Sequence, residues 1–149
     1  ITSKLDYGNA LYVRINTPLI RQLQTIQNSA ARFTLNLPPC THITPHLREL
    51  HWLPIHKHDL FKLFTHTFKA LHNTGPAYPN NRISFHKPTI HLHSARLLLT
   101  QIPRIHRTRS GGRAFSYIAP KAWNDLPLHI RAASSVLEFR KKVKTWLSS

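Results

Sequence analysis

Methionine is absent from this chain, cysteine occurs once, glycine four times and acidic residues only five times in 149 residues. Each shortage excludes something. A lone Cys40 rules out an internal disulfide and points weakly to a reducing compartment. The acids are Asp6, Glu49, Asp59, Asp125 and Glu138, each alone in its stretch of sequence. Two-metal phosphoryl transfer needs clustered carboxylates around its cations. No Asp-Asp pair of the polymerase type is present, so catalysis by this chain is not expected. Apolar runs such as Leu97-Leu98-Leu99 fall far short of the roughly 20 residues that cross a bilayer. The first residues, Ile1 to Asp6, lack a signal-peptide pattern. The expectation is therefore no membrane and no secretion, with the nucleus or cytoplasm as the place of any expressed protein. A chain without Met also reads as a piece of a longer frame.

What is abundant is positive charge. Lys and Arg number 21, for a formal net charge of +16 before any of the twelve histidines is protonated. A surplus of this size favours polyanionic partners, and nucleic acid is the expected class. The histidines form no recognised metal set. His56-Lys57-His58 and His91-Leu92-His93 space two imidazoles two residues apart, but the paired cysteines or helical His-Glu-x-x-His of zinc sites are missing. Ser, His and Asp occur without a nucleophile elbow. Gly111-Gly112 lacks the remainder of a phosphate-cradling loop. Neither a metal nor a cofactor is expected.

The periodicity predicts a mainly α fold, with room for one small β-hairpin before the last two helices. Leu23, Ile26, Ala30, Phe33 and Leu37 repeat at three and four residues, predicting a helix over 18–37 that Pro38-Pro39 ends. Leu5 to Val13 is a shorter candidate, weakened by Gly8. Thr44-Pro45 reads as a hydroxyl cap followed by proline in the first turn. A longer helix is predicted from Ile55 to Leu71, with Phe61, Phe64, Phe68 and Leu71 as its apolar stripe and His58, Lys62, His66 and Lys69 as a basic one. Pro76 to His93 reads as irregular. Arg96–Ile102 and Arg113–Ile118 are strand candidates, joined through Pro103–Gly112. Pro120–Leu126 reads as a short helix. Ser135 and Glu138 then match a capping box, with Ser134 an equal alternative, ahead of an apolar face of Val136, Phe139, Val143 and Trp146.

Basic side chains are the remaining functional signal. Arg104, Arg107, Arg109 and Arg113 crowd one glycine-containing loop, Lys62 and Lys69 lie on the long helix, and Lys141, Lys142 and Lys144 lie on the last. Such groups neutralise phosphates and release counterions, giving affinity with little sequence reading. Trp52, Trp123 and Tyr117 could stack on unpaired bases, but the two tryptophans sit among Leu and Pro and read better as core anchors.

Several stretches carry a resemblance. Ser3-Lys4-Leu5-Asp6-Tyr7-Gly8-Asn9-Ala10-Leu11 and Leu23-Gln24-Thr25-Ile26-Gln27-Asn28-Ser29-Ala30-Ala31-Arg32 come first. His42-Ile43-Thr44-Pro45, Leu50-His51-Trp52-Leu53-Pro54-Ile55, Phe68-Lys69-Ala70-Leu71-His72 and Pro76-Ala77-Tyr78 follow. The most specific are Arg113-Ala114-Phe115-Ser116, Ala119-Pro120, Trp123-Asn124 and Leu126-Pro127 through Ile130-Arg131. In this order the chain resembles the region after the palm in vertebrate LINE-type (non-LTR) retrotransposon reverse transcriptases. Gly8 stands where that family usually has Cys, and Pro79-Asn80-Asn81 replaces a more apolar stretch. The resemblance implies a thumb-like helical segment over 1–75, a connector over 76–95 and a carboxy-terminal hairpin-plus-helices segment over 96–149. It also implies a non-catalytic role inside an RNA-directed DNA polymerase. The partners would be template RNA or an RNA–DNA duplex, and the polymerase palm of the parent protein. The alternative is a structural fragment that docks on that palm, or a decayed copy with no function of its own.

Overall fold

The computed structural model describes residues 17–75, 83–86, 97–104 and 114–148. These contain six helices: α1 (Thr17–Thr34), α2 (Thr44–Glu49), α3 (Ile55–Leu71), α4 (Phe115–Asn124), α5 (Leu128–Arg131) and α6 (Val136–Ser148). The mainly α class expected from periodicity is what is observed. The Leu5–Val13 helix candidate lies outside the described residues. The chain divides into two compact units, Ile1–Lys62 with Leu147–Ser149, and Leu63–Trp146. None of the described helices is long and apolar enough to cross a membrane.

In the first unit, Ala31, Ile43 and Leu47 form a buried cluster, with Leu37, Leu50 and Trp52 packed against it. Trp52 is thus the core anchor its Leu and Pro neighbours suggested. The apolar stripe of α1, however, does not face this cluster throughout. Ile26 is 53% and Phe33 89% exposed, whereas Gln27 and Ala31 are buried. The reason is polar. Pro54 interrupts the backbone before α3, and two glutamines of α1 bind the groups left there. Gln27 Nε2 donates to the Leu53 carbonyl at 2.9 Å, and the Ile55 N–H donates to Gln24 Oε1 at 2.9 Å. Gln24 Nε2 in turn donates to Gln27 Oε1 and to Asn28 Oδ1, both at 2.9 Å. Orphan helix donors and buried carbonyls demand such partners, and meeting that demand turns the glutamine face inward.

Three helix ends close the same way. After α1, the Leu37 N–H reaches the Arg32 carbonyl at 2.9 Å and the Asn36 N–H reaches Phe33 at 3.3 Å. After α2, Trp52 donates to Leu47 and His51 to Arg48, and after α3, Thr74 donates to Lys69 and Asn73 to Ala70. These are Schellman closures, which require one residue in the left-handed region. Asn36, His51 and Asn73 supply it, with φ of 52°, 55° and 54°. Glycine is the usual occupant, but a chain with four glycines uses Asn twice and His once instead. The start of α2 differs from the reading of Thr44 as a hydroxyl cap. Ile43 is the capping residue, without a side-chain bond, and Thr44 and Pro45 are already helical. Ile43 is buried against the core cluster, and packing sets the start of the helix there.

The core of the second unit is aromatic. Phe68 of α3 stacks on Phe139 of α6 at 4.5 Å between ring centroids, and Trp123 of α4 stacks on Phe139 at 5.5 Å. Trp123 and Phe139 are fully buried, and Leu63, Leu126, Ile130 and Val143 are further buried residues of the same unit. The buried side of α3 includes Leu63, Thr67 and Ala70 beside Phe64 and Phe68, while Phe61 and Leu71 are half-buried. The buried stripe is therefore rotated from the one written by the phenylalanines alone. On α6, Phe139, Val143 and Leu147 are buried, whereas Trp146 is 39% exposed.

The second strand candidate is corrected. Residues Phe115–Asn124 are helical, so Arg113–Ile118 does not supply a second strand. An alternation of five or six residues matches a strand and a helix almost equally well. Pro120 sits inside α4 rather than at its start. Thr100 does form an antiparallel bridge, but its partner is Phe85. His86 N–H donates to the Leu99 carbonyl at 2.8 Å and Gln101 N–H to Ser84 at 3.1 Å. Leu98, with φ of 50°, breaks the expected 96–102 strand.

Candidate nucleic-acid interface

Helix α6 is fixed before it can present anything. Ser135 Oγ accepts from the Glu138 N–H at 3.2 Å. Glu138 Oε2 reaches back to Ser134, accepting from its N–H at 2.9 Å and its Oγ at 2.8 Å. Both serines weighed as caps are used, one in each direction of a modified capping box. Lys142 Nζ lies 2.7 Å from Glu138 Oε1 and donates to the His129 carbonyl at 3.2 Å. These hydrogen bonds, first that of Lys142 and then those of Ser134, hold the Glu138 carboxyl down at about 2. A lowered carboxylate stabilises the fold above its ordinary titration range. That contribution is lost as pH falls toward 2.

The consequence for binding is that the lysines of α6 are not equivalent. Phe139 and Val143 anchor the helix in the core. At about 100° per residue, Lys141 and Lys144 project away from that side, and Arg140 flanks them. All three are exposed. Lys142 instead braces the helix start and the loop before it.

The other expected residues are distributed differently. Lys62 and Lys69 are both half-buried, seven residues apart along one side of α3, and fall in different units. Arg104 is exposed. Arg107, Arg109 and Arg113, the centre of the expected Arg-rich loop, lie outside the described residues. Trp123 cannot stack on a base without opening the core. Its ring is fully buried and its Nε1 donates to the Leu98 carbonyl at 2.9 Å. Tyr117 is half-buried.

No family model, curated protein or solved structure matches the chain. Among the described residues no group of three His, Cys, Asp or Glu side chains is placed to hold a metal ion.

Three polar residues take structural roles that the sequence reading did not assign to them. Asn124 binds the edge at Thr100, Arg131 is buried in α5, and Asp59 is buried in α3. Asp59 Oδ1 has no hydrogen-bond partner. Burial pushes its carboxyl up to about 6, against the opposing charge of Lys62. A raised acid stabilises the fold while protonated, and that contribution is lost as pH rises from about 4 through 6. Asp59→Asn is therefore expected to leave stability nearly unchanged at pH 4 and to raise it by about 2 kcal/mol at pH 7. Urea unfolding of the two proteins at both pH values checks this. An equal change at both would remove the burial explanation.

A second surface is apolar. Thr25, Ile26, Ser29, Ala30, Phe33 and Thr34 of α1, with Trp52, line an open groove of about 570 Å³.

Proposed function

We propose that the chain is a non-catalytic nucleic-acid-binding part of a LINE-type reverse transcriptase. It grips template RNA or an RNA–DNA duplex through phosphates. The observation that carries this reading is the exposed cationic side of α6, Arg140, Lys141 and Lys144, on a helix whose opposite side is locked in an aromatic core. The net charge of +16 supports it, and so does the order of the family-like stretches along the chain. Lys62, Lys69 and Arg104 are further candidate phosphate contacts, each taken by itself. Synthesis itself belongs, on this reading, to the palm of the parent polymerase.

Fluorescent RNA titrated at several salt concentrations tests it. Affinity is expected to fall steeply with salt, and Lys141→Ala with Lys144→Ala to reduce the log–log slope by about 1.4, since each single-strand phosphate contact contributes about 0.7. Lys142→Ala is expected to change the slope less, because Lys142 is committed to Glu138 and His129. Affinity that is flat from low to moderate salt would end this reading.

A second reading is favoured by α1. Of the apolar faces that could meet a polymerase palm, Phe64, Phe68 and Phe139 are consumed in the chain's own core, whereas Ile26 and Phe33 remain exposed beside the groove. On this reading α1 docks on the parent palm. Phe33→Ser would then weaken assembly with the rest of the polymerase without altering RNA affinity.

A further inference from the structure

Arg131 ends the short helix α5 and is 7% exposed. Its Nε and Nη1 are buried and make no hydrogen bond. No ion pair to this side chain is present among the described residues. A guanidinium stays charged under nearly all conditions, so burial without partners is expensive and normally relieved by an anion. Burial also presses the Arg131 pKa downward, as expected for a cation short of acceptors. The carboxylates that could relieve it are scarce here. The chain has five, Glu138 is committed to Ser134 and Lys142, and Glu49 lies beside His46 at 3.3 Å. Lys142 reaches the His129 carbonyl, two residues from Arg131, at 3.2 Å.

We propose that Arg131 is a phosphate-binding residue that takes a phosphodiester of the nucleic-acid backbone. This deepens the nucleic-acid reading and rests on it. The chemistry is that of planar donors. The two donor edges of a guanidinium each offer two N–H groups, and both edges include Nη2, so a phosphate seated at either takes two charge-assisted hydrogen bonds. The unpaired Nε and Nη1 supply one donor to each edge. The cations of α6 would draw the backbone in without fixing its position, and Arg131 would fix one phosphate against the fold. A lysine ammonium lacks that fork.

The test uses the full chain with inorganic phosphate as the probe, against sodium chloride at matched ionic strength and against acetate. Phosphate is expected to raise the thermal midpoint of the wild type, because a ligand that binds only the folded state stabilises it. Acetate is expected to raise it less. Arg131→Met is expected to melt higher than the wild type without phosphate and to lose the phosphate response. The pair Lys141→Ala with Lys144→Ala is expected to keep it, which separates this site from the α6 surface. Arg131→Lys guards against misfolding of the apolar variant. It should bind RNA about tenfold more weakly than the wild type, the loss expected from one charge-assisted hydrogen bond. The proposal is overturned by a wild type that does not respond to phosphate beyond matched chloride, by an equal response in Arg131→Met, or by acetate acting as strongly as phosphate. Because phosphate alone is the probe, those outcomes stand whether or not the chain binds RNA.

Discussion

Trp123→Ala is expected to lower the stability of the second unit by about 3–5 kcal/mol, enough to unfold a domain whose total is only about 5–15 kcal/mol. Three losses coincide. The ring is fully buried and stacked on Phe139 at 5.5 Å, with Phe68 at 6.3 Å. Its removal opens a cavity between α3, α4 and α6. It also strips the Leu98 carbonyl of its Nε1 donor at 2.9 Å, at a residue already held in the left-handed region. Trp123→Phe separates these effects. It keeps most of the ring volume, loses the hydrogen bond, and should cost about 1–3 kcal/mol. Thermal melts followed by far-UV circular dichroism measure both. If the alanine variant melts within a degree or two of the wild type, the aromatic cluster is not what holds this unit.

Asn124→Ala is expected to cost about 2–5 kcal/mol although Asn124 is only half-buried. Its amide behaves as a strand neighbour for Thr100. Oδ1 accepts from the Thr100 N–H at 2.9 Å, and Nδ2 donates to the Thr100 carbonyl at 3.1 Å. The Thr100 hydroxyl lies 3.0 Å from Oδ1 and 3.1 Å from the Pro120 carbonyl, and its single proton serves one of them at a time. Residues 84–86 bind the opposite edge of this segment. Alanine at 124 leaves two backbone groups of a buried residue without partners. Asn124→Asp is the informative companion. A carboxylate can accept from the N–H but cannot donate to the carbonyl, so it should recover only part of the loss at neutral pH. Full recovery by Asp would show that the Nδ2 bond contributes nothing.

Helices were legible because their signals are local. The long helix is found from Ile55 to Leu71, as its stripe and flanking Pro54 indicated. The Ser135–Glu138 box marks the start of α6. What was not legible depended on distant partners. Nothing near Ile26 or Phe33 shows that Gln24 and Gln27 will be drawn inward by a break at Pro54. Nothing near Thr100 shows that its strand neighbour is Phe85 on one edge and a side-chain amide on the other. Alternation over Arg113–Ile118 pointed to a strand because the window was too short to separate the periods. For the interface, residue type identified the cations, but only geometry separates Lys142, which braces the fold, from Lys141 and Lys144, which face outward. Arg131 carried one usable sign. It follows Ile130 in a short helix bounded by Pro127 and Ala132-Ala133, an apolar setting unusual for a guanidinium.

The three Schellman closures bear on how fast this chain reaches its shape. Each stop signal is written within six residues, so the carboxy-terminal ends of α1, α2 and α3 are decided without waiting for any remote contact. Helices of this kind form within about a microsecond. Pairing Phe85 with Thr100, and closing Trp123 over Phe68 and Phe139, joins groups far apart in sequence and must pay for loop closure first. The slow step of folding therefore belongs to the aromatic unit, whereas the stops of α1, α2 and α3 are set locally.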